Sequence, residues 1–352
     1  MHSDKTPPKR TIRFYEIDLL RFIAALGVVF FHYTFAGEQA GHLPFHFTLS
    51  AYTMYGYFGV LLFFMISGFV ILMTALHRDW RGFVKSRIVR LYPLYWFAVF
   101  LTFVIIYLFG APQFYVSFKE LFWNLSMVQG YLLIPNIDEV YWTLGVEMMF
   151  YFHIFILLYT RKIRYIDLYL FGLLMISFVL ETYNIKYISI PFFPEYSAYF
   201  IAGATAYLAY KKGWSIRYGV LYLLSYLLAL YSVSSRTASL EHNYHVAYDM
   251  GIVVGILTLF FLLFLAISLD KTRLIRYRFM LYLGVVTYPL YLIHDRIGFV
   301  LLQRLSGTAD PYLLVATVAV GMVLLAYILH KTVEQPFALL LKRTLDRFWP
   351  DR

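Results

Sequence analysis

The chain has 352 residues, of which 61% are hydrophobic and only 14% are charged, whereas an ordinary soluble domain has about 25% charged residues. This composition excludes a water-soluble globular protein and indicates a protein of the lipid bilayer. The absence of cysteine excludes disulfides, thiolate metal ligands and a cysteine nucleophile, and in a membrane protein the net charge of +10 does not indicate nucleic-acid binding.

Apolar segments long enough to cross about 30 Å of hydrocarbon follow one another along the chain. They predict an all-α polytopic membrane protein with about ten transmembrane helices, at 17–35, 57–76, 92–110, 141–160, 165–183, 195–210, 216–233, 247–268, 279–300 and 311–331. The first span carries Asp18 and Arg21 and lacks a clear cleavage site, so we expect it to be retained rather than removed as a signal peptide. The apolar segment 119–134 is short, and we interpret it as re-entrant or interfacial.

The distribution of basic residues predicts the orientation of these spans. With a cytoplasmic N-terminus, 24 of the 30 basic residues fall on the cytoplasmic side; the others are Lys119, Lys186, Arg236, Arg296 and Arg304 outside, and Arg21 within the first span. Cytoplasmic loops of membrane proteins are enriched in Lys and Arg. We therefore expect both termini in the cytoplasm and an even number of crossings.

The spans predict one membrane domain, 15–336, between a short cytoplasmic tail, 1–14, and an amphipathic tail, 337–352. In the second tail, apolar residues recur at helical spacing with basic residues between them: Phe337, Leu340, Leu341, Leu345 and Phe348. This pattern is typical of a helix that lies on the cytoplasmic leaflet.

Two ionisable residues in the first span, Arg21 and His32, are eleven positions apart. On a helix their side chains point in nearly the same direction, about 16 Å apart along the axis. Arg21 could instead form an ion pair with Asp18 or snorkel to lipid phosphate, and His32 could be a buried structural histidine.

Glu147 in the fourth span and His294 in the ninth lie about two turns from the outer surface, at a depth similar to that of His32. Ionisable side chains are costly in the membrane interior, so each needs a partner or a function. The three residues form a possible acid/base cluster near the outer side. The alternative is a buried polar network that only stabilises helix packing.

On the inner side, Arg87 and Arg90 are spaced i, i+3 and share a helix face, from which they could bind phosphate groups. Ordinary positive-inside anchoring is the alternative. Ser67 and Gly68 in the second span are more typical of close helix packing than of a serine nucleophile. Pro44 separates His42 from His46, so we expect no metal site.

Several motifs together resemble the bacterial integral-membrane acyltransferase family three. These are IDLLRFIAALGVVFFH, with Asp18, Arg21 and His32; FFMISGFVI, with Ser67 and Gly68; FVKSRIVRLYPLYW, with Arg87, Arg90 and Pro93; WTLGVEMMFY, with Trp142, Leu144 and Glu147; TYPLYLIH, ending at His294; and VEQPF, with Glu334 and Pro336. The resemblance covers about residues 14–337. In the last motif Gln335 stands where a basic residue is common.

The resemblance implies a membrane O-acyltransferase of the bacterial cytoplasmic membrane, of the stand-alone type without a soluble esterase-like domain. The donor would be cytoplasmic acyl-CoA, with acetyl as the default acyl group, and no cofactor would be permanently bound. The acceptor would be a hydroxyl of an extracytoplasmic glycan or its lipid-linked precursor. Arg21, Arg87 and Arg90 would serve the donor.

For the chemistry, we expect His32 to act as the general base, Glu147 to orient and tune a histidine, and His294 to bind the acceptor or stabilise the oxyanion. A transient acyl-imidazole on a histidine is the alternative route. A transporter or flippase of a modified saccharide, in which buried His and Glu relay protons, is the alternative function.

Overall fold

The structure, a computed structural model, describes residues 13–272 and 277–349, and within them the backbone forms helices and turns without strands. The main helices are α1 (Tyr15–Phe31), α2 (Gly59–Ala75), α3 (Trp80–Phe109), α4 (Trp142–Tyr159), α5 (Ile166–Thr182), α6 (Pro194–Lys212), α7 (Ile216–Tyr244), α8 (Met250–Ser268), α9 (Met280–Ile293), α10 (Asp295–Arg304), α11 (Pro311–Leu329) and α12 (Gln335–Phe348). One π-helical turn, His32–Ala36, continues α1, and another, His330–Glu334, joins α11 to α12. Parts of both predicted tails, 1–12 and 350–352, lie outside the described residues.

Every predicted span overlaps one of these helices. Within the described ranges, eight helical segments are long and apolar enough to cross a bilayer, and the pair α9 and α10, bent by 69°, adds a ninth if it is one span. The remaining predicted span, 195–210, coincides with α6, whose side chains from Tyr196 to Ala209 are all buried. Because α2, α5, α7 and α8 surround α6, it needs less apolarity than a lipid-facing helix. The predicted all-α polytopic membrane fold is confirmed.

The centre of the bundle is the close packing of α2 against α6 at two glycines. A Cβ atom at Gly68 would lie 2.1 Å from the backbone oxygen of Phe200, and one at Gly203 would lie 1.9 Å from that of Met65. Only glycine allows two backbones to approach so closely. Gly68 is therefore a packing residue, the role that small residues usually have inside a membrane.

Consecutive long helices run in alternating directions, so their connections gather at two ends of the bundle. The end that holds His32 and His294 is called the histidine end, and the opposite end, which holds Arg13 and the start of α3, is called the basic end. Contacts between connections tie each end together: Thr48 to Tyr312 and Arg304 to Phe109 at the histidine end, and Thr272 to Glu16 and Arg217 to Asp167 at the basic end. The described basic residues that we predict to be cytoplasmic lie at the basic end.

The segment between α3 and α4 forms no further crossing helix. It contains a short helix, Phe118–Asn124, and two 3₁₀ turns, Gln129–Leu132 and Glu139–Tyr141. Its backbone carbonyls accept hydrogen bonds from side chains in the middle of α3: Tyr95 to Asn124 (2.6 Å), Trp96 to Leu125 (3.0 Å) and Tyr92 to Ser126 (3.1 Å). The segment thus enters the bundle beside α3 and returns, as a re-entrant segment does.

The predicted amphipathic tail forms α12, which packs against the first turns of α3. The ammonium of Lys85 donates to Asp346 Oδ1 and to the backbone oxygen of Trp349, both at 3.0 Å. Phe337 and Phe348 remain exposed. An apolar face of α12 is thus available to lipid, and its position on the cytoplasmic leaflet stays a prediction.

Candidate active site

A cavity of about 590 Å³ lies at the basic end between α1, α2, α3, α4, α9 and α12 and extends into the bundle. The described charged side chains that line it are Arg13, Arg21, Arg78, Lys85, Arg87, Arg90 and Lys342, and Asp18, Glu147 and Asp346. Basic side chains outnumber acidic ones by seven to three. Since low-dielectric walls strengthen the field of these charges, the cavity is suited to an anionic ligand.

The three arginines that we predict to bind the donor all line this cavity. Arg87 Nε donates to Ser86 Oγ at 3.2 Å, and its guanidinium lies 5.6 Å from the ring centre of Tyr151. Among the described residues, Arg21 has no hydrogen bond or ion pair within 4 Å. The structure therefore brings Arg21 and Arg87 together with most of their donor capacity unused.

Arg90 reaches the cavity from α3 but also contacts the last of the sequence motifs. Its Nη1 atom donates to Glu334 Oε1 at 3.2 Å, and Glu334 Oε2 lies 2.7 Å from His330 Nδ1. The Gln335 side-chain amide lies 2.9 Å from His330 Nε2, so His330 accepts there and donates from Nδ1 to Glu334. Pro336 is in the first turn of α12, where its missing N–H costs no hydrogen bond.

The structure pairs Asp18 with Arg13 and not with Arg21. Arg13 Nε donates to Asp18 Oδ2 at 2.9 Å. The other carboxylate oxygen of Asp18 occupies the place of a side chain at Gly284, where a Cβ would lie only 2.4 Å away. Asp18 therefore joins the start of α1 to α9, and the ion pair between Asp18 and Arg21 is absent from the described residues.

Glu147 lies with the arginines and not with the histidines. Its Oε1 atom accepts hydrogen bonds from Ser67 Oγ at 2.8 Å and from the Tyr151 hydroxyl at 2.7 Å, and its side chain lines the basic cavity. The expectation that Glu147 orients a histidine is wrong in its geometry, because the side chain lines the basic cavity, where Ser67 and Tyr151 donate to it. Ser67 acts here as a hydrogen-bond donor to Glu147.

His32 and His294, in contrast, come together as predicted from their common depth. Their ring centres are 5.2 Å apart with the rings inclined at 73°. His32 lies where α1 passes into its π-helical turn, and His294 lies at the junction of α9 and α10. His294 is fully buried, whereas the His32 side chain is 15% exposed.

The carboxylate beside His32 is Asp295, which the sequence analysis overlooked. Asp295 Oδ1 lies 2.7 Å from His32 Nδ1, and the Asp295 side chain is only 2% exposed. The sequence did indicate that Asp295 could belong to the site, because it directly follows His294. In a straight ninth span, the side chains of His294 and Asp295 would point about 100° apart around the helix axis. The 69° bend between α9 and α10 instead directs both towards α1.

The orientation of His294 is set by two backbone contacts. Its Nδ1 atom lies 2.9 Å from the backbone oxygen of Tyr291, and its own backbone oxygen accepts from the Tyr33 hydroxyl at 2.7 Å. A carbonyl oxygen can only accept, so Nδ1 carries the proton and a neutral ring has a free lone pair at Nε2. Nε2 is buried and has no partner among the described residues.

Residues next to Asp295 hold the start of α10 in place. The backbone N–H of Arg296 donates to Asp138 Oδ2 at 3.1 Å, and the Arg296 guanidinium contacts Glu139. The same guanidinium lies 4.5 Å from the ring centre of Phe114. These contacts join α10 to the start of α4 and position the His32–Asp295 pair.

The remaining motif residues have structural contacts. Trp142 begins α4, and the guanidinium of Arg236 lies 5.5 Å from its ring centre, while Arg236 Nε donates to the Tyr57 hydroxyl at 2.5 Å. Leu144 lines the cavity. Pro93 is buried within α3, which continues as a helix through it.

The basic cavity ends close to the histidines. Thr143 and Tyr291 line its inner end, where Thr143 Oγ1 and the Tyr291 hydroxyl are 2.9 Å apart. The backbone oxygen of Tyr291 holds His294, three residues or about 4.5 Å further along the chain. The inner end of the basic cavity and the histidine–aspartate pair are thus separated by about one helical turn.

Comparison of the sequence with known proteins identifies its relatives. The sequence pattern of the family described as Acyltransferase domain, acyltransferase family 3, matches residues 14–331. A protein of Acidianus two-tailed virus, ORF330, provisionally named an acetyltransferase, is 27% identical over 285 residues, which cover 74% of this chain and 77% of that protein.

The acyltransferase MdmB of Streptomyces mycarofaciens is 30% identical over 155 residues, covering 41% of this chain and 39% of that protein. No solved structure matches the chain. The family pattern spans nearly all the helices, including His32, His294 and the three arginines predicted to bind the donor, Arg21, Arg87 and Arg90. The chain is therefore an acyltransferase that belongs to acyltransferase family 3.

Proposed function

We propose that the protein transfers an acyl group, with acetyl as the default, from cytoplasmic acyl-CoA to a hydroxyl of an extracytoplasmic or lipid-linked glycan. The observation that carries this proposal is the alignment of the basic cavity with the His32–Asp295 pair. An anionic donor enters a bilayer only where protein charges compensate its phosphates. Acyl transfer to a hydroxyl needs a base where donor and acceptor meet.

The donor is proposed to enter from the basic end. The phosphates of coenzyme A bind Arg87 and Arg90, and its long thin arm follows the cavity beside Arg21 towards Tyr291. Small movements of Thr143 and Tyr291 then admit the thioester to the level of His294. The donor is consumed in the reaction, so no permanently bound cofactor is required.

In the proposed reaction, His32 Nε2 removes the proton of the acceptor hydroxyl while the hydroxyl oxygen attacks the thioester carbonyl. The carbon–sulfur bond breaks, and the coenzyme A thiolate takes up a proton as it leaves. The Asp295 carboxylate, whose Oδ1 atom lies 2.7 Å from His32 Nδ1, favours a proton on Nδ1, and this leaves the lone pair at Nε2 free. The lone pair of His294 Nε2 suits it to accept a hydrogen bond from a second hydroxyl of the acceptor rather than to donate one to an oxyanion.

A covalent route remains a defined alternative within this proposal. His32 attacks the thioester itself, coenzyme A leaves, and the acyl-imidazole passes its acyl group to the hydroxyl in a second step. Rapid quenching of the protein after mixing with radiolabelled acetyl-CoA distinguishes the two routes. Label on His32 supports the covalent route, and its absence throughout turnover supports general-base catalysis.

Acyl transfer is tested with purified protein in lipid vesicles. Acetyl-CoA and a lipid-linked saccharide are added, thiol release is followed, and the saccharide is analysed by mass spectrometry. We expect an acetylated saccharide that depends on His32 and not on His46, an exposed histidine at the same end. Absence of acyl transfer to any hydroxyl compound would refute the proposal.

For localisation we propose the bacterial cytoplasmic membrane, with the basic end in the cytoplasm. The native chain contains no cysteine, so single cysteines report position without background. An impermeant thiol reagent added to intact cells should label cysteines at Thr48 and Ser239, and should not label those at Lys162 and Lys271. The reverse pattern would invert the orientation and the proposed path of the donor.

A further inference from the structure

Two lysines at the mouth of the basic cavity are not used by the donor path proposed above. Lys85 on α3 and Lys342 on α12 both line the cavity, as does Asp346, one turn after Lys342. Lys85 is five residues before Arg90, about 7.5 Å nearer the basic end along the helix axis. The cavity thus has two groups of cations at different depths.

We propose that Lys85 and Lys342 form a second anion subsite that binds the 3′-phosphate on the ribose of the acyl-CoA donor, with Asp346 as its competing carboxylate. This inference rests on the proposed function, because it requires a coenzyme A thioester as donor. Coenzyme A carries a diphosphate in its chain and a separate phosphate monoester on its ribose. If Arg87 and Arg90 bind the diphosphate, the monoester needs its own cations nearer the cavity mouth.

The contacts of Lys85 allow its ammonium to exchange the Asp346 carboxylate for a phosphate. Its ammonium is nearly buried and donates to Asp346 Oδ1 and to the Trp349 backbone oxygen, each at 3.0 Å. The Asp346 side chain is 46% exposed, so its carboxylate can turn to water at little cost. A phosphate monoester carries about −1.5 to −2 charges near neutral pH and is a stronger partner for an ammonium than one carboxylate.

The pattern of α12 supports a role beyond anchoring. Lys342 and Asp346, spaced i, i+4, both line the cavity, whereas the neighbouring Arg343 and Arg347 do not. A helix that only needed a salt bridge to α3 has no need of a second cation over the cavity mouth. Arg343 is therefore a matched control for Lys342, because it has the same charge on the same exposed helix.

The test is the affinity of the purified full chain for coenzyme A and for dephospho-coenzyme A, which lacks only the 3′-phosphate, measured by calorimetry. We expect the native protein to bind coenzyme A about tenfold more tightly than dephospho-coenzyme A. Lys85→Ala should remove most of this preference, and Lys342→Ala part of it. Asp346→Asn should strengthen coenzyme A binding, and Arg343→Ala should change neither affinity.

The outcomes separate this inference from the proposed function. Equal affinity of the native protein for the two ligands would overturn the 3′-phosphate subsite and leave the donor site intact. Binding of neither ligand would overturn the proposed donor itself. If Lys85→Ala reduced the affinity for both ligands by the same factor, the role of Lys85 would be only to anchor α12. Lys342 is exposed, so Lys342→Ala keeps the test decisive even if Lys85→Ala does not fold.

Discussion

The two ends of the bundle hold their polar groups in different ways. At the basic end, seven cations line one cavity, and several of them, such as Lys342 and Arg78, are exposed. At the histidine end, the three residues proposed for the reaction are enclosed: Asp295 is 2% exposed, His294 is fully buried, and the His32 side chain is 15% exposed. Binding of a highly charged ligand suits the first arrangement, and proton transfer suits the second.

This difference predicts how each end responds to substitution. Cations that share one ligand can partly replace one another, so the loss of one weakens binding by a limited factor. A base that acts alone has no substitute. Substitutions at the histidine end should therefore reduce the rate, and substitutions at the basic end should reduce affinity.

The largest effect is expected from His32→Ala. It removes the proposed base, so acyl transfer should fall by about 10²- to 10⁴-fold, while coenzyme A affinity stays near that of the native protein. The measurement is quantitative acyl transfer together with calorimetric binding of coenzyme A. Near-native transfer would move the base elsewhere, with His294 as the next candidate.

Asp295→Asn should have the second largest effect, a loss of about 10- to 100-fold in kcat. The amide can donate to His32 Nδ1 and favour the tautomer with the proton on Nε2, which cannot act as a base. Because Asp295 acts through His32, KM for acetyl-CoA should hardly change. A rise in KM with unchanged kcat would mean that Asp295 serves donor binding instead.

Arg87→Ala should weaken coenzyme A binding by about tenfold, because one charged hydrogen bond to phosphate is lost. Arg87→Lys should restore only part of the affinity, since lysine cannot form the two-pronged contact. Unchanged affinity in a folded Arg87→Ala, Arg90→Ala double variant, measured by calorimetry, would place the diphosphate elsewhere in the cavity.

The smallest effect is expected from Glu147→Gln, a reduction in activity of about fivefold or less. The amide oxygen can still accept from Ser67 and Tyr151, so the local hydrogen bonds survive the loss of charge. Measured beside Asp295→Asn in the same transfer assay, this variant compares the two carboxylates directly. A greater loss of kcat for Glu147→Gln than for Asp295→Asn would contradict the assignment of Asp295 as the carboxylate that orients the base.

Most of the fold was predictable from the sequence, for a physical reason that acts locally. A segment that crosses hydrocarbon must be apolar over about twenty residues and must satisfy its own backbone, and each predicted span overlaps a helix. Because consecutive spans cross the membrane in alternating directions, the basic residues of every second connection cluster at one end of the bundle. The shared location of Arg21, Arg87 and Arg90 could be predicted from motifs and spacing, because all three lie near helix ends that face the same side.

The partners of the ionisable residues were decided only by the tertiary structure. Asp18 pairs with Arg13, and Glu147 with Ser67 and Tyr151, although spacing along one helix or equal depth suggested other neighbours. Glu334 pairs with Arg90, a contact that no sequence pattern indicated. Asp295 reaches His32 because the chain bends by 69° after α9. Hydropathy determines which segments cross the membrane, but which side chains meet depends on rotations and bends that apolar packing sets across the whole bundle.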